Sequence, residues 1–214
     1  MFRVIQKNNK SRQNTVKKDS LLVDFSARSA NDIKNQNLWE IGASQFIPNL
    51  NELLEINEYN VNDEIESIDI YYDDKSEVLA DLFNSYGSDK AGKHDYYKFY
   101  YHILNKLGID TELNILEIGL GTNDPKLVST MGVNGKPGAS IRAFRDFCKN
   151  SNCYGADIDK KILLKEERIK TYYVDQLNKS SFQDLVKDEK YDLIIDDGLH
   201  SIGANFNTLL FGLN

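Results

Sequence analysis

The chain is short of residues that staple or punctuate a fold. It has two cysteines and three prolines in 214 residues. Two cysteines are too few for a disulfide framework, and no second pair completes a zinc site. Cys148 closes a helical pattern and Cys153 opens an apolar run, so packing is their ordinary role. A reduced, cytoplasmic setting follows as the expectation. No apolar run approaches the roughly 20 residues that cross a bilayer. The N-terminus, MFRVIQKNNKSRQ, lacks the apolar core of a signal peptide. A membrane is therefore not an expected partner. Positive charge is also in deficit: 26 Lys and Arg against 33 Asp and Glu leave a net charge of -7. That balance argues against nucleic acid as the main partner. Internal repeats and low-complexity tracts are absent.

What the chain does have is enough apolar content, 41% of residues, for a core. Its length suits one domain with an appendage. Residues 1–20 are basic and polar, and read as a solvated tail. Residues 21–75 are poorly periodic, with LLVDF and SIDIYY as strand candidates. Between Glu52 and Asp81 stand eleven acids and one base, Lys75. This is a solvated face or irregular arm, or else a docking surface. The expected division is an auxiliary region over 1–75 and a core over 76–214.

From Ser76 a regular alternation begins. SEVLADLFNSYG reads as a helix stopped by Gly87. His94 to Leu107 carries an aromatic helical stripe, mostly core, with His102 structural within it. NILEIGL is a first buried strand, and a Gly/Pro-bearing loop from Thr122 to Gly138 follows it. Ser140 to Lys149 is a helix, NCYGADI a second strand, Lys160 to Glu167 a short helix, and RIKTYYVD a third strand. Ser181 is expected to cap the helix SFQDLVKD. YDLIIDD is a fourth strand, and Ser201 to Leu213 a last helix. Strands alternating with helices predict an α/β fold with about four parallel strands, Rossmann-like, behind a small irregular N-terminal region.

In such a sheet, ligands sit at the carboxyl ends of the strands. Three strand ends carry chemistry. The first runs into Gly119-x-Gly121, a tight turn that lets a ligand approach the backbone. A third glycine and an immediate helix, which a dinucleotide pyrophosphate needs, are both missing. A ligand with a ribose but no phosphate needs only backbone proximity and an acid. Asp157 ends the second strand and is the better placed acid for vicinal ribose hydroxyls. Asp159 is the fallback, or else caps the Lys160 helix. Asp175, ending the third strand, either touches an adenine amino group or turns the chain. The fourth strand ends in Asp196-Asp197-Gly198-Leu199-His200. Adjacent carboxylates repel unless a cation or donors neutralise them, and hard oxygen ligands suit Mg²⁺. His200 is placed as a general base, against a polar turn as the plain alternative. Ser88, Asp89 and Lys90, with His94 and Tyr96, form either a polar loop before a helix or a flap over the cofactor.

These residues resemble class I S-adenosylmethionine-dependent methyltransferases. The resemblance lies in Glu117-Ile-Gly119-Leu-Gly121, Asp157, Asp175 and the Asp196-Asp197 strand. Further stretches narrow it: Gly-Ser-Asp-Lys (87–90) with His94 and Tyr96, Gly138 to Asp146, Tyr-Gly-Ala-Asp-Ile-Asp, and Ile-Asp-Asp-Gly-Leu-His. Together they look like metal-dependent sugar O-methyltransferases of macrolide antibiotics, over about residues 76–212. By that resemblance Glu117, Gly119, Gly121, Asp157, Asp175, Ser88 and Lys90 serve the cofactor, S-adenosylmethionine. Asp197, with Asp196 beside it, would hold Mg²⁺, and His200 would be the base. The acceptor would be a hydroxyl of a sugar, glycan or glycosylated small molecule.

The family sheet normally has seven strands and completes its metal site with a second acidic pair beyond the fourth. Only four strands are legible here, which leaves YDLIIDD with an uncovered edge and self-association as an expected partner mode. A truncated cofactor-binding remnant is therefore the first rival reading. A nicotinamide-dependent oxidoreductase is the second.

Overall fold

The computed structural model describes residues 69–213, apart from 93, 129 and 187–189. The basic tail, LLVDF and most of the acidic stretch lie outside the described residues. Residues 69–73, which include the end of SIDIYY, form no regular element.

Regular structure starts with helix α1, Asp74–Tyr86. Asp73 caps it by accepting the Lys75 N–H at 2.9 Å. Asp74 and Glu77 occupy its first turn, where carboxylates meet the positive end of the helix dipole. Several of the clustered acids thus have a local helical role. A four-residue turn of helix, α2 (Asp89–Gly92), and helix α3 (Tyr96–Leu107) follow. The aromatic stripe of α3 is core, as expected: Tyr97, Tyr100, Tyr101 and Leu104 are buried. His102 is structural, its Nδ1 accepting the Tyr71 N–H at 2.8 Å.

The remaining elements build the sheet. They are β1 (Asn114–Ile118), α4 (Ala139–Phe147), β2 (Asn152–Asp157), β3 (Lys165–Glu166), β4 (Ile169–Tyr173), α5 (Gln183–Val186), β5 (Leu193–Asp196) and α6 (Ile202–Leu213). The order is β3-β4-β2-β1-β5. β1, β2, β4 and β5 are parallel. They correspond to the four strands read from the sequence. Among the described residues β5 has no strand on its outer side.

Period-two alternation divides the core between the two faces of β1. Ile115 faces α1, α3 and α4, where Phe144 packs edge-on against Phe83 and Tyr100 at centroid distances of 5.2 and 5.3 Å. Leu116 and Ile118 face the other layer, with Tyr154, Val174, Phe182 and Leu185. Cys148 and Cys153 lie in the first layer, and burial pushes both thiols up to about 12. Their role is packing.

Two expectations need correction. The segment 160–167 is not one short helix. It is a 3₁₀ turn, Lys160–Ile162, and then the fifth strand β3, antiparallel to β4. Thr171 Oγ1 holds the chain extended there by accepting the Leu164 N–H at 2.7 Å and donating to the Leu164 carbonyl at 2.6 Å. Arg168, at φ 56°, makes the turn, and its guanidinium donates to the carbonyls of Arg145, Cys148 and Ser151 at the end of α4. Those bonds offset the left-handed backbone. The second correction is the cap after β4. Asn178 accepts the Ser180 N–H at 3.1 Å and opens a 3₁₀ turn, Lys179–Phe182. Ser181 instead ties back to the Asp175 carbonyl at 2.8 Å.

β3 is anchored by charge. Glu166 accepts from Arg142 at 2.7 Å and Arg145 at 2.9 Å. The Arg142 hydrogen bond holds its carboxyl below the ordinary 4.5, with burial opposing. A lowered carboxyl adds stability above its unfolded value, and that stability is lost as pH falls through 4.5 and then through the folded value. The pair is about one-third exposed, so Glu166→Gln should cost only about 0.5–1 kcal/mol at pH 7. Denaturant titrations of both proteins across pH should show the gap closing below pH 4.5. A gap that stays constant down to pH 3 would contradict this role.

Candidate functional site

The strand order places a switch point beside β1. The chain passes from β1 to β2 and β4 on one side, and returns to set β5 on the other. A crevice opens beyond the carboxyl ends of strands that diverge in this way. Gly119 to Thr122 leave β1 there, and Asp197 to His200 leave β5.

Gly119 sits at φ 94°. Its N–H donates to the Ala156 carbonyl at 2.8 Å, while the Asp197 N–H donates to the Ile118 carbonyl at 2.8 Å. A Cβ on Gly119 would overlap the Asp197 carbonyl and the Gly198 Cα. The first glycine therefore lets the ends of β1 and β5 approach each other. Gly121, at φ 79°, is packed under the Met131 side chain. The loop that carries Met131 is internally tied: its N–H donates to the Thr122 carbonyl at 2.8 Å, and Asn123 Nδ2 donates to the carbonyls of Gly132 and Gly135. Although α4 starts late in sequence, its N-terminus returns to the turn. The Gly138 N–H donates to the Leu120 carbonyl at 2.8 Å. The delayed helix is thus delayed in sequence and not in space. What stands under its first turn is a fully buried carboxylate, Glu117, which accepts from Ser140 Oγ at 2.6 Å.

The acids at the end of β2 hold the glycine turn. Asp157 accepts the Leu120 N–H on one oxygen and the Asp159 N–H on the other, both at 2.8 Å. Each oxygen keeps a lone pair for a ligand hydroxyl. Asp159 takes its capping role, accepting from the Lys161 N–H at 2.9 Å and from Thr122 Oγ1 at 2.6 Å. The Thr122 bond holds its carboxyl below the usual range. Asp175 accepts the Leu177 N–H at 3.0 Å, which is the chain-turning option.

Asp196 and Asp197 were expected to share a cation. They diverge instead, because adjacent residues at a strand end point to opposite faces. Asp196 lies on the α6 side and accepts from Gln176 Nε2 at 2.9 Å, Asn205 Nδ2 at 3.0 Å and the Gly198 N–H at 3.3 Å. Neutral donors relieve its charge. Asp197 lies on the Glu117 side and pairs with the ammonium of Lys90, which also stands 3.5 Å from Glu117. Lys90 is buried on α2, and Ser88 Oγ accepts its backbone N–H at 3.4 Å. Burial pulls the Lys90 amine down, but the Glu117 and Asp197 carboxylates more than offset it and hold it above the usual lysine value. Burial raises the Glu117 carboxyl, against the pull of Lys90 and Ser140. His200 is exposed, with Nε2 3.9 Å from an Asp197 oxygen.

The structure thus groups Glu117, Lys90, Asp197 and His200 at the ends of β1 and β5, and Asp157 with the glycine turn at the end of β2. Asp175 and Asp196 stand apart from Lys90. Among the described residues no group of three or more His, Cys, Asp or Glu could hold a metal ion. As they stand, these residues do not make a divalent-cation site. The glycine turn and the spare lone pairs of Asp157 do suit a ribose. Sequence reasoning missed Gln176 and Asn205, whose partners come from distant segments, and Thr122, whose signal was its place directly after the second glycine.

No family model matches the chain. The described residues have the Rossmann-like fold of S-adenosylmethionine-dependent methyltransferases. They align with MycE methyltransferase from the mycinamycin biosynthetic pathway, in complex with Mg, SAH and mycinamycin VI. The TM-score is 0.54 at 25% identity, over 63% of this chain and 35% of MycE. A second MycE structure, with Mg and SAH, aligns with a TM-score of 0.53. In sequence the chain is similar to the 8-demethyl-8-alpha-L-rhamnosyl tetracenomycin-C 2'-O-methyltransferase of Streptomyces olivaceus, 31% identical over 140 residues. That match covers 64% of this chain and 35% of the relative. Among the described residues no helix is long and apolar enough to cross a membrane.

Gly119→Ala should disrupt this site in a graded way. Strain at positive φ alone costs about 1–3 kcal/mol, and here the backbone of Asp197 blocks the Cβ as well. Gly132 is the control, since it too has positive φ, 76°, but no atom within 4 Å of its Cβ position. Urea midpoints should fall clearly further for Gly119→Ala than for Gly132→Ala. Equal losses would show that the β1–β5 contact is not tight.

Proposed function

We propose that the chain carries the cofactor-binding part of an O-methyltransferase that uses S-adenosylmethionine and acts on a sugar hydroxyl of a glycosylated small molecule. The observation that carries the reading is the switch-point crevice. At the switch point Asp157 accepts the Leu120 amide of the glycine turn that follows β1, and Asp197 with His200 follows β5, the neighbouring strand. The similarity to the two sugar-pathway methyltransferases supports the same reaction class. A nicotinamide cofactor fits poorly, because the third glycine of a dinucleotide turn is missing, with Asp124 at that position.

When bound, S-adenosylmethionine supplies an activated sulfonium methyl. The chain's own residues would do the rest. Asp157 would orient the ribose while keeping its grip on the Leu120 and Asp159 amides. His200 Nε2 would take the acceptor hydroxyl proton, and Asp197 beside it would stabilise the imidazolium that results. The open position of His200 suits a base that meets a large acceptor. Magnesium belongs to the proposal on the strength of the MycE complexes. Among the described residues Asp197 is paired with Lys90 and no group of three or more His, Cys, Asp or Glu could hold that cation, so no step is routed through a metal.

The 35% coverage of the relatives also supports a narrower reading, in which these residues bind the cofactor and turnover needs further chain. SAH (S-adenosylhomocysteine) binding with no methyl transfer would select it. For the cofactor assignment, Asp157→Ala should weaken SAH by about tenfold or more in calorimetry, since charge-assisted bonds are worth about 1.5–3 kcal/mol each. Unchanged affinity in a folded variant would sink that assignment. For the base, transfer of labelled methyl to a glycosylated macrolide should fall roughly 10²–10⁴-fold in His200→Ala, with SAH affinity kept. Full transfer by that variant would remove His200 from the chemistry.

A further inference from the structure

The His200 side chain is 72% exposed, so packing of its ring does little to fix it. The backbone beneath it is held amide by amide. The Asp197 N–H donates to the Ile118 carbonyl at 2.8 Å, and the Gly198 N–H to Asp196 at 3.3 Å. The last amide before the histidine, that of Leu199, donates at 2.6 Å to a side chain from distant sequence, Oε1 of Gln176.

Gln176 follows β4 and is 7% exposed. Three segments meet at it. Its Nε2 donates to Asp196 at the end of β5 and to Thr208 Oγ1 on α6, both at 2.9 Å. Its backbone carbonyl accepts from Asn207 Nδ2 at 2.7 Å. These partners settle which way the amide points: an N–H needs its oxygen, and a carboxylate needs its nitrogen. A Cβ on Gly198 would overlap the Gln176 amide, so the loop lies directly against it. The clamp joins strands that are not neighbours, since β2 and β1 lie between β4 and β5. Asp196 gains a role of its own here. It accepts the Gly198 amide and anchors the glutamine that accepts the next one.

We propose that Gln176 is the positioning residue for His200. It fixes the loop from Asp197 to Leu199 and thereby sets where the imidazole meets the acceptor hydroxyl. The inference rests on the reading of His200 as the base. In this role Gln176 acts through the Leu199 amide and not on the substrate. Misplacing a reacting group by about 1 Å can cost about 10²-fold in rate, so a clamp on one amide is enough to matter.

The test uses the full chain, S-adenosylmethionine with a labelled methyl, and a glycosylated macrolide as acceptor. Gln176→Met keeps the length of the side chain and removes its hydrogen bonds. It should lower kcat by about tenfold to a hundredfold and leave KM for S-adenosylmethionine within about twofold. In a His200→Ala background the same substitution should cost nothing further, because the two act as a unit. An unchanged kcat, or a loss that adds in full to that of His200→Ala, would overturn the proposal.

Nuclear magnetic resonance decides the placement without turnover. The chain has three histidines, His94, His102 and His200. Gln176→Met should move the ring signals of His200 and leave those of His94 and His102 in place. Unmoved His200 signals would overturn the proposal. If Gln176→Met fails to fold, the wild type supplies the readout: its Leu199 amide should exchange about tenfold or more slowly than an unstructured amide. Unprotected exchange at Leu199 would overturn the proposal too. Full methyl transfer by His200→Ala, or none by the wild type, counts against the methyl-transfer reading, while the resonance and exchange results alone decide whether Gln176 places the histidine.

Discussion

The close approach of the ends of β1 and β5 is the constraint on which the site depends. Backbone meets backbone there: the Asp197 N–H reaches the Ile118 carbonyl, and the Asp197 carbonyl stands where a Cβ of residue 119 would be. Only glycine fits, and only in the left-handed conformation that L side chains rarely adopt. That contact sets the register of β5 on β1, which brings Glu117 beside Ile195 and Asp197 onto the face that Lys90 reaches. From one steric fact follow the crevice, the ion group and the place of His200.

Electrostatics then decides which ligands the crevice accepts. A helix N-terminus ordinarily invites an anion. Here the Ser140 hydroxyl in the first turn of α4 donates to the buried Glu117, which Lys90 also faces. In the proposed reading a ribose would meet Asp157, whose two oxygens each accept one backbone amide and keep a lone pair. Breaking the ion group by deleting Lys90 would leave Glu117 buried without its cation, the situation in which buried pairs become costly. The group is thus better understood as a means of orienting Asp197 than as a source of stability.

Much of this was legible in the sequence. The apolar runs NILEIGL, NCYGADI, RIKTYYVD and YDLIIDD carry their own periodicity, and each forms a parallel strand. Glycines placed after a strand announced the turn. β3 was not legible, because two charged residues have no strand pattern: Thr171 fixes the preceding Leu164, and two arginines hold Glu166. Gln176 and Asn205 were not legible either, since a neutral amide gains its role only when distant chain supplies Asp196. The divergence of Asp196 and Asp197 was open to inference. Two-residue alternation separates neighbours, yet adjacency in sequence read as proximity in space. The role of Lys90 needed the fold, because a lysine on a short helical turn has no local signal for a partner at residue 197.

The central claim is that this crevice is built for a nucleoside without a pyrophosphate. Parallel calorimetric titrations of the full chain with SAH and with NAD test it most directly. The account predicts saturable one-to-one binding of SAH and no heat of binding from NAD. Binding of NAD in preference to SAH would contradict it.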